Sequence, residues 1–353
     1  MRAIVTGGAG FIGSALVRRA IGDGHQVLNI DKLTYAGRLE TVAAVSGDPN
    51  YSFLRADVAD AAAMIRAIAD FAPDAVFHLA AETHVDRSVD HPATFIETNV
   101  GGTYAMLEAA LRYWSALDGR RRAQFRFVQV STDEVYGSLG RDGHFCEDTP
   151  YRPNSPYSAS KAAGDHLANA WFVTYGLPVL VSNCSNNYGR FQHPEKLIPT
   201  VLRHALAGSA IPVYGDGSNC RDWLNVEDHV EGLLRLRERG RPGEKYLFGA
   251  RADVANLALV KMLCGILDRL RPRPDGTSYA AQISFVDDRP GHDFRYAIDP
   301  AKAERALGWS PRRALPDGLA ETVAWYLDHP SWLVRPEAEL MRLGLARSAG
   351  DAR

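Results

Sequence analysis

The chain of 353 residues carries almost no net charge, few cysteines and no long apolar run. A formal charge of −2 gives no sign of the basic surface that binds nucleic acids or anionic membranes, so we expect neither partner. No apolar run reaches the length of a membrane span. A composition of 46% hydrophobic and 23% charged residues is typical of a globular enzyme.

The four cysteines are widely scattered, at Cys146, Cys184, Cys220 and Cys264, and none belongs to a C-x-x-C pair. This spacing argues against a structural zinc site, and we expect no bound metal. Unpaired thiols fit a reducing compartment. The chain also enters its first predicted strand at once, so we expect no signal peptide and a cytoplasmic location.

A glycine-rich turn follows the first predicted strand, which spans residues 3–6. Gly7, Gly10 and Gly13 form a G-x-x-G-x-x-G pattern that permits a tight turn and close approach of the backbone to a pyrophosphate. An ordinary helix-entry turn is the alternative. The order of strand, glycines, helix, strand and acid favours a dinucleotide site.

The second predicted strand, residues 26–30, ends in Asp31. An acid at this point suits the two ribose hydroxyls of NAD and repels the 2′-phosphate of NADP. We therefore predict NAD, although the nearby Lys32 and Arg38 slightly weaken the exclusion of NADP.

The third and fourth predicted strands bring further candidates to the same edge of the sheet. Residues 51–58 end in Asp57 and Val58, which suit an adenine amino group and its ring, and the alternative for Asp57 is a helix N-cap. Residues 75–81 end in alanines against which a flat cofactor can lie. His78 lies within this apolar run, where a hydrogen-bonded core histidine is the favoured interpretation.

Polar residues 82–88 follow the fourth strand. Thr83, nearest to the strand, is the best candidate for a substrate contact, and the alternative is that charge pairs in this cluster only hold the loop. A long helix is predicted from residue 92 to residue 113, and Asn99 is unusual within its apolar pattern. We expect Asn99 to bridge to a loop below the catalytic residues.

A strand predicted at residues 125–130 is followed by a hydroxyl and two carboxylates, Thr132, Asp133 and Glu134. They lie where a strand leaves the sheet, which is where open α/β sheets bind ligands. Two adjacent carboxylates can do acid-base work that a simple dehydrogenase does not need.

Tyr157 and Lys161 are four residues apart on a predicted helix that Ser155 and Pro156 open, so they share one face. An ammonium beside a phenol favours the phenolate, and such a tyrosine takes a proton from an alcohol near neutral pH. We therefore hypothesise that this pair starts an oxidation.

A buried strand at residues 179–182 precedes a second polar run. Asn186 and Asn187 suit phosphate or sugar hydroxyls, with Asx-turn chemistry as the alternative. Beyond them the βαβ rhythm is lost. Arg221 and Arg289 are candidate diphosphate clamps, and surface ion pairs with neighbouring aspartates are the alternative.

We predict an α/β fold in which a Rossmann-type doubly wound parallel sheet carries a smaller mixed α/β C-terminal substrate-binding region. Residues 1–182 would form the NAD-binding domain with the catalytic residues. Residues 183–335 would mainly bind the substrate, with some segments returning to the first domain, and residues 336–353 would form a tail.

Together these motifs resemble the extended short-chain dehydrogenases/reductases and, within that superfamily, the dTDP-glucose 4,6-dehydratases. The Tyr-x-x-x-Lys pair is shared across the superfamily, whereas the Thr-Asp-Glu block marks dehydratases against epimerases. The matching stretches run in order over almost the whole chain, at residues 6–13, 31–37, 78–88, 131–137, 157–161, 184–189, 194–199, 221–224 and 288–293.

The resemblance implies the NAD-dependent conversion of dTDP-glucose to dTDP-4-keto-6-deoxyglucose and water. Tyr157 would take the proton of the 4-hydroxyl while hydride passes from C4 to NAD. Thr132 would hydrogen-bond near the 4-oxygen, and Lys161 would lower the tyrosine pKa and hold the nicotinamide ribose. Glu134 would then remove the C5 proton, Asp133 would protonate the departing 6-hydroxyl, and hydride would return to C6.

The resemblance also implies which residues surround the two ligands. Cofactor contacts would come from Gly7, Gly10, Phe11, Ile12, Gly13, Asp31, Lys32, Leu33, Thr34, Asp57, Val58, Leu79, Ala80, Ala81, Thr98, Tyr157, Lys161 and Asn187. Contacts to the nucleotide sugar would come from Thr83, Thr132, Asp133, Glu134, Asn186, Lys196, Leu197, Pro212, Tyr214, Arg221, Asn256, Arg289 and His292. Family members are usually dimers, so we expect a homodimer.

Three residues depart from the family pattern. Asn183 stands where arginine is frequent, although asparagine also fits there. Arg190 and Phe191 stand where Pro-Tyr is usual. Because these residues flank the asparagine pair, they bear on the nucleotide or sugar pocket more than on the reaction.

Two alternatives stay open on the sequence. The first is a 4,6-dehydratase or a 4-epimerase acting on another nucleotide sugar such as UDP-glucose, and Asp133 with Glu134 argues against the epimerase. The second is a noncatalytic NAD-binding scaffold, since a fold does not define a function. The presence of Tyr157, Lys161 and Glu134 argues against the scaffold.

Overall fold

The computed structural model describes residues 1–288 and 292–334. The strands are β1 (Arg2–Thr6), β2 (Gln26–Asp31), β3 (Tyr51–Arg55), β4 (Ala75–His78), β5 (Arg126–Thr132), β6 (Val179–Cys184), β7 (Asn186–Tyr188), β8 (Ile211–Tyr214), β9 (Cys220–Asn225), β10 (Lys245–Phe248), β11 (Asp253–Ala255) and β12 (Ile283–Val286).

The helices are α1 (Phe11–Gly22), α2 (Ala61–Phe71), α3 (Val85–Asp90), α4 (Pro92–Phe95), α5 (Thr103–Ser115), α6 (Gly119–Gln124), α7 (Pro156–Tyr175), α8 (Leu197–Leu206), α9 (Val226–Arg239), α10 (Asn256–Leu270), α11 (Ala301–Leu307) and α12 (Leu315–Asp328). A π-helical segment occupies Ile96–Gly102, and 3₁₀ turns occupy Leu39–Val45, Asp133–Tyr136, Tyr279–Gln282 and Pro330–Trp332. None of the helices in the described part combines the length and hydropathy needed to cross a bilayer.

A seven-stranded parallel sheet is the centre of the molecule, in the order β10-β6-β5-β4-β1-β2-β3. The chain runs outward from β1 to β3, returns to the other side of β1 for β4, and continues through β5 and β6. This is the Rossmann order, and the reversal between β1 and β4 creates the crevice in which such sheets bind ligands. The predicted fold class is confirmed.

The aligned register brings the ends of the central strands to one edge. Thr6 of β1 pairs with His78 of β4, and Thr132 of β5 pairs with Cys184 of β6. The loops that follow these four strands therefore reach the same crevice, although they are far apart in sequence.

Helices cover both faces of the large sheet. On one face α1, α9 and α11 pack together through buried residues that include Leu16, Leu233 and Leu307. On the other face α2, α5 and α7 pack through a core that includes Ile68 and Leu107. This double cover removes both faces from water, which explains the near-continuous apolar runs of the strands.

Helix α7 begins where the sequence predicts. The Ser155 hydroxyl accepts a hydrogen bond from the N–H of Ser158, and the Ser158 hydroxyl accepts one from the N–H of Ser155. This reciprocal capping box satisfies two N–H groups and defines the first turn. Tyr157 therefore lies in that first turn, one turn before Lys161.

Two predicted elements differ from the structure. Strand β3 ends at Arg55, so Asp57 and Val58 lie in the loop after it. The helix predicted from residue 92 to residue 113 contains the π-helical segment, which turns Asn99 into the interior. A π segment inserts an extra residue and is frequent at functional sites, and it leaves no simple periodic pattern in the sequence.

The smaller part of the molecule has its own core and two small sheets, β11-β9-β7 and β12-β8. Helices α8, α10 and α12 pack there around residues such as Val201, Leu263 and Leu319. Strand β10, which follows position 182, joins the large sheet beside β6. The division of the chain at residue 182 stays a prediction, and residues 335–353, which include the predicted tail, lie outside the described residues.

Candidate functional site

The glycine-rich turn between β1 and α1 is packed too tightly for side chains. Gly7 has a φ of +70°, and a Cβ on it would lie 2.8 Å from the backbone nitrogen of Ala80. A Cβ on Gly13 would lie 2.1 Å from the carbonyl oxygen of Gly7. The turn and the loop after β4 thus form a cradle that any Cβ would fill, which is the shape that lets backbone N–H groups approach a pyrophosphate.

Asp31 is buried beside this cradle at the end of β2. Its carboxylate accepts hydrogen bonds from the N–H groups of Ala9 at 3.0 Å and Leu33 at 2.8 Å. Burial raises the pKa of Asp31, while these two bonds and the charge of Lys32 oppose the rise. The bonds orient the carboxylate, and its other acceptor positions suit ribose hydroxyls.

Lys32 ties several loops around the crevice. Its ammonium donates to the carboxylate of Asp57 and to the hydroxyl of Thr98, both at 3.2 Å. Helix α2 is capped by Asp60, whose side chain accepts from the N–H of Ala63. The alternative interpretation of Asp57 as the cap of that helix is therefore wrong.

His78 is a core residue, in agreement with the favoured interpretation. Its Nδ1 lies 2.8 Å from the hydroxyl of Thr6, and its Nε2 lies 3.2 Å from the hydroxyl of Thr103. Burial, with a further contribution from Lys161, lowers the pKa of His78 to about 3. The ring is therefore neutral at physiological pH.

Tyr157 and Lys161 both line the crevice from α7. The ammonium of Lys161 donates to the carbonyl of Val130 at 2.7 Å, and burial lowers its pKa. Burial, followed by the charge of Glu134, raises the pKa of the Tyr157 phenol well above its usual value. The predicted lowering of that pKa by Lys161 is not found, because burial of the phenol and the charge of Glu134 raise it.

The two adjacent carboxylates lie on the 3₁₀ turn after β5. The hydroxyl of Thr132 caps this turn by accepting from the N–H of Glu134 at 3.3 Å. Asp133 is 1% exposed, and its Oδ2 has no hydrogen-bond partner within residues 1–288 and 292–334. Burial, followed by the charge of Glu134, raises the pKa of Asp133 well above its usual value. The raised pKa favours the protonated form of Asp133, which is the form that a general acid needs.

Asn186 and Asn187 lie on β7, which pairs with β9. The alternative of an Asx turn at these residues is therefore wrong. The Asn187 amide donates to the carbonyl of Ser185 at 2.9 Å, and its Oδ1 lies 3.0 Å from Nδ1 of His229. The Oδ1 of Asn186 is buried with no hydrogen-bond partner in the described part of the chain. A buried acceptor left open at a crevice is suited to a ligand.

One cavity brings most of the predicted residues together. The predicted catalytic residues that line it are Thr132, Asp133, Glu134, Tyr157 and Lys161. The other predicted cofactor residues that line it are Gly7, Gly10, Phe11, Ile12, Gly13, Asp31, Lys32, Thr34, Val58, Leu79, Ala80, Ala81, Thr98 and Asn187. The other predicted substrate residues that line it are Thr83, Asn186 and Lys196.

The remaining predicted residues do not line this cavity. They are Leu33, Asp57, Leu197, Pro212, Tyr214, Arg221, Asn256 and His292. Arg289 lies outside the described residues. The rings of Tyr214 and His292 lie 6.2 Å apart, and Arg221 donates to the carbonyl of Asp293 at 2.9 Å, so part of this second group meets around the loop at residues 292–296.

Arg221 is buried, so the alternative of a surface ion pair with Asp222 is wrong. Its guanidinium donates to backbone carbonyls, with the shortest bond of 2.7 Å to Cys220, and lies 4.2 Å from the ring centroid of Tyr296. The charge of Arg221 lowers the pKa of Asp133, against the larger effect of burial. Arg221 therefore acts electrostatically on Asp133, which lines the cavity.

Part of the cavity wall has no assigned role in the sequence predictions. Glu195 lies within 3.7 Å of His84, 3.6 Å of Arg87 and 3.5 Å of His193. This charge cluster joins loops that follow different strands. Gln192 and Trp332 are among the other lining residues without a predicted role, and Arg38 and Phe191 line the cavity as well. Glu195 belongs to a matching family stretch, which is a usable signal, whereas nothing in the sequence marks Trp332.

The three residues that depart from the family pattern have different surroundings. The amide of Asn183 is buried and donates to the carboxylate of Asp165 and the carbonyl of Thr132, both at 3.1 Å. Arg190 is exposed in an ion pair with an acidic side chain of α9. Of the three, Phe191 is the one that lines the cavity.

Asn99 joins two sides of the site, as predicted. Its side chain bonds to the backbone N–H and C=O of Glu82, at 2.8 and 3.0 Å, and donates to the hydroxyl of Ser160 at 2.8 Å. It thereby connects the loop after β4 to the helix that carries Tyr157 and Lys161.

Within residues 1–288 and 292–334, no group of three or more His, Cys, Asp or Glu side chains is arranged to hold a metal ion. The expected absence of a metal stays a prediction. The four cysteines are free thiols.

Comparisons with known proteins point to one class of enzyme. The family model described as GDP-mannose 4,6 dehydratase matches residues 4–322. A dTDP-glucose 4,6-dehydratase from Xanthomonas campestris is 53% identical over 330 residues, which is 94% of each chain. The Bacillus anthracis dTDP-glucose 4,6-dehydratase, solved in complex with NAD, is 40% identical with a TM-score of 0.83, covering 94% of this chain and 98% of that one.

A 4-epimerase is also similar in structure. UDP-glucose 4-epimerase from Thermotoga maritima, solved with UDP-glucose, has a TM-score of 0.83 but is 29% identical, covering 94% of this chain and 100% of the epimerase. The two activities therefore share a fold, and the sequence identity is higher to the dehydratases.

We predict that Asn99→Ala destabilises the protein by about 2–3 kcal/mol, because the buried N–H and C=O of Glu82 lose their partners. The free energy of unfolding in urea measures the loss. Glu97→Ala, on the exposed side of the same π segment, is the matched control and should change stability by less than about 0.5 kcal/mol. Equal effects of the two substitutions would contradict the bridging role.

Proposed function

The chain belongs to the nucleotide-sugar 4,6-dehydratase family and, within it, to the dTDP-glucose 4,6-dehydratases, and we propose that it converts dTDP-glucose to dTDP-4-keto-6-deoxyglucose and water. The observation that carries this proposal is the cavity in which Asp133 and Glu134 face Tyr157 and Lys161 beside a dinucleotide cradle. The predicted family, reaction, enzyme class and NAD cofactor are confirmed by the relatives.

The residues of the cradle fit NAD. The turn at Gly7 and Gly13 leaves room for a pyrophosphate against backbone N–H groups, and Asp31 presents a carboxylate to a ribose. When bound, NAD would supply the hydride acceptor for the oxidation and, once reduced, the hydride donor for the final reduction.

Tyr157 acts as the base on the sugar 4-hydroxyl in this proposal. Its buried phenol is protonated in the protein alone, because burial and Glu134 raise its pKa. Thr132 opposes this rise in pKa and lines the same cavity, so it is placed to share the 4-oxygen. The ammonium of Lys161, held by the carbonyl of Val130, adds a fixed positive charge in a site of low polarity.

Asp133 and Glu134 divide the elimination between them. Oxidation at C4 acidifies the C5 proton, and Glu134 removes it. Asp133 donates its proton to the departing 6-hydroxyl, and its raised pKa supports this assignment because only a protonated carboxyl can act as the acid. The electron pair released from the C5–H bond forms the C5–C6 double bond as the C6–O bond breaks, and water leaves.

Within residues 1–288 and 292–334, Lys196 and Arg221 are cationic candidates for binding the substrate diphosphate. Lys196 lines the cavity, and its ammonium donates to the carbonyl of Thr83 at 3.3 Å. Arg221 is buried near the carboxylates, and its guanidinium can bind phosphate oxygens in a bidentate manner. Both residues support a nucleoside diphosphate sugar as the substrate. The roles of all the predicted site residues stay proposals.

We also propose a homodimer formed through α5, α7 and the π segment. Large apolar side chains are exposed along these elements: Ile96 is 51%, Tyr104 is 50%, Val173 is 71% and Tyr175 is 51% exposed. Helices α5 and α7 pack side by side, and the ring of Tyr104 contacts that of Trp171 at 5.8 Å. A second copy of this face would bury the exposed apolar groups.

The cytoplasmic location is a further proposal, supported by the four free thiols. The expected absence of nucleic-acid and membrane partners stays a prediction from the charge of −2.

We predict that the purified protein converts dTDP-glucose without added NAD, because the cofactor has to stay bound through the whole cycle. The product is measured by mass spectrometry as the loss of one water and by the alkaline absorbance of the 4-keto sugar. UDP-glucose is the matched control and should react more slowly. Faster turnover of UDP-glucose would contradict the assignment of dTDP-glucose as the substrate. NAD binding without turnover of any nucleotide sugar would favour the noncatalytic scaffold.

We predict that Asp133→Asn separates the two halves of the elimination. In D₂O it should still incorporate deuterium at C5 of recovered substrate, while water loss slows by about 10²–10⁴-fold. Glu134→Gln should abolish both, because it lacks the base that removes the C5 proton. Tyr157→Phe should abolish both, because it cannot oxidise C4, and that oxidation has to precede exchange at C5. Nuclear magnetic resonance measures the deuterium.

The pH dependence of water loss tests the same assignment of Asp133 as the general acid. Because the protonated form of Asp133 is the active one, water loss should fall as pH rises through its raised pKa. Asp133→Asn should lack this falling limb. A wild-type rate in that variant, or C5 exchange in Glu134→Gln, would assign the acid and base to other groups.

We predict that Tyr104→Asp produces a monomer, because a charge would be buried in the proposed interface. Light scattering after gel filtration should give twice the chain mass for the wild type and a single chain mass for the variant. Leu270→Asp is the control, since Leu270 is 49% exposed on α10, outside the proposed interface. A monomeric wild type would exclude the homodimer.

A further inference from the structure

Three aromatic rings from distant parts of the chain meet beside the cavity. Phe191 follows β7, Trp325 lies on α12, and Trp332 ends the 3₁₀ turn Pro330–Trp332. The ring centroid of Phe191 lies 4.6 Å from that of Trp325 and 4.9 Å from that of Trp332. These separations are typical of favourable aromatic pairs.

Two arginines of the dinucleotide-binding half complete the cluster. The guanidinium carbon of Arg18, on α1, lies 4.5 Å from the ring centroid of Phe191, and that of Arg38 lies 4.4 Å from the ring of Trp332. Cation–π contacts of this kind strengthen where water is excluded, and burial lowers the pKa of Arg18 to about 10. We call Phe191, Trp325, Trp332, Arg18 and Arg38 the aromatic clasp.

The backbone conformation of Phe191 indicates that the surrounding contacts hold this residue in place. Its φ is +69°, a conformation that bulky residues rarely adopt. Strain of this kind persists only where the surrounding structure holds the residue. Here Trp325, Trp332 and Arg18 enclose the phenyl ring and hold it towards the cavity that it lines.

The aromatic clasp meets the cavity at the glycine-rich turn. Phe191, Trp332 and Arg38 line the cavity together with Gly10. The N–H of Arg38 donates to the carbonyl of Ala9, within that turn, at 2.9 Å. Because the turn is the part of the fold that binds a pyrophosphate, the clasp borders the position of the pyrophosphate that links the two nucleosides of a dinucleotide.

We propose that the aromatic clasp retains the dinucleotide, with Trp332 closing the cavity beside the pyrophosphate. The inference rests on the proposed function, because a 4,6-dehydratase returns to the sugar the hydride that it removed. A cofactor that left between these two transfers would end the cycle. Release of the dinucleotide past this wall requires the contacts of Trp332 with Phe191 and Arg38 to break, so the clasp sets the residence time of the cofactor.

Replacement of Trp332 tests the proposal. Trp332→Ala removes the ring contacts, and Val334→Ala in the same segment is the matched control because Val334 is 72% exposed. The dissociation rate is measured by exchange of bound NAD for radiolabelled NAD, and retained NAD is measured in acid extracts of desalted protein. We expect Trp332→Ala to exchange NAD about tenfold faster than the wild type and the control. Its turnover of dTDP-glucose should depend on added NAD.

The outcomes separate the clasp from the proposed function. An active wild type with the same NAD exchange rate as Trp332→Ala would overturn the clasp alone. A wild type that binds NAD but turns over no dTDP-glucose would overturn the proposed function. If Trp332→Ala does not fold, Trp332→Leu keeps an apolar side chain in the segment, and the same comparison of exchange rates decides.

Discussion

The hydrogen bond from the buried ammonium of Lys161 to the carbonyl of Val130, 2.7 Å long, joins α7 to the end of β5. A buried charge without a partner is strongly unfavourable, so the helix and the strand have to keep this relative position. That position places Tyr157, one turn earlier on α7, on the cavity wall that also carries Thr132 at the end of β5. The geometry of the proposed oxidation depends on this contact, and the hydrogen bond from Asn183 of β6 to Asp165 of α7 supports the same placement of the helix.

The sheet extends the same constraint to the rest of the site. Thr132 pairs with Cys184, and Thr6 pairs with His78, so the loops after four parallel strands leave the sheet at one edge. Asn99 then ties the loop after β4 to α7 through Glu82 and Ser160. Groups that are up to about 180 positions apart in sequence are thus held together by strand register and a few buried hydrogen bonds.

Burial has opposite consequences for the two kinds of catalytic group. It raises the pKa of Asp133, which keeps the proton that a general acid needs. It also raises the pKa of Tyr157, which opposes the state that a base needs. The same low-polarity cavity therefore favours the protonated acid that the elimination needs. The phenolate that the oxidation needs depends on nearby positive charge, such as that of Lys161.

The sequence by itself determined the elements whose signals are local. The glycine turn, the serine-proline start of α7 and the apolar strands each depend on the chemistry of a few neighbouring residues, so the fold class could be predicted and the catalytic groups proposed from them. Only the tertiary structure decided the inward turn of Asn99, the burial of Arg221 and the return of Trp332 to the glycine turn. Each of these depends on packing between segments that are distant in sequence, and no pattern within a single segment records which distant surface it will meet.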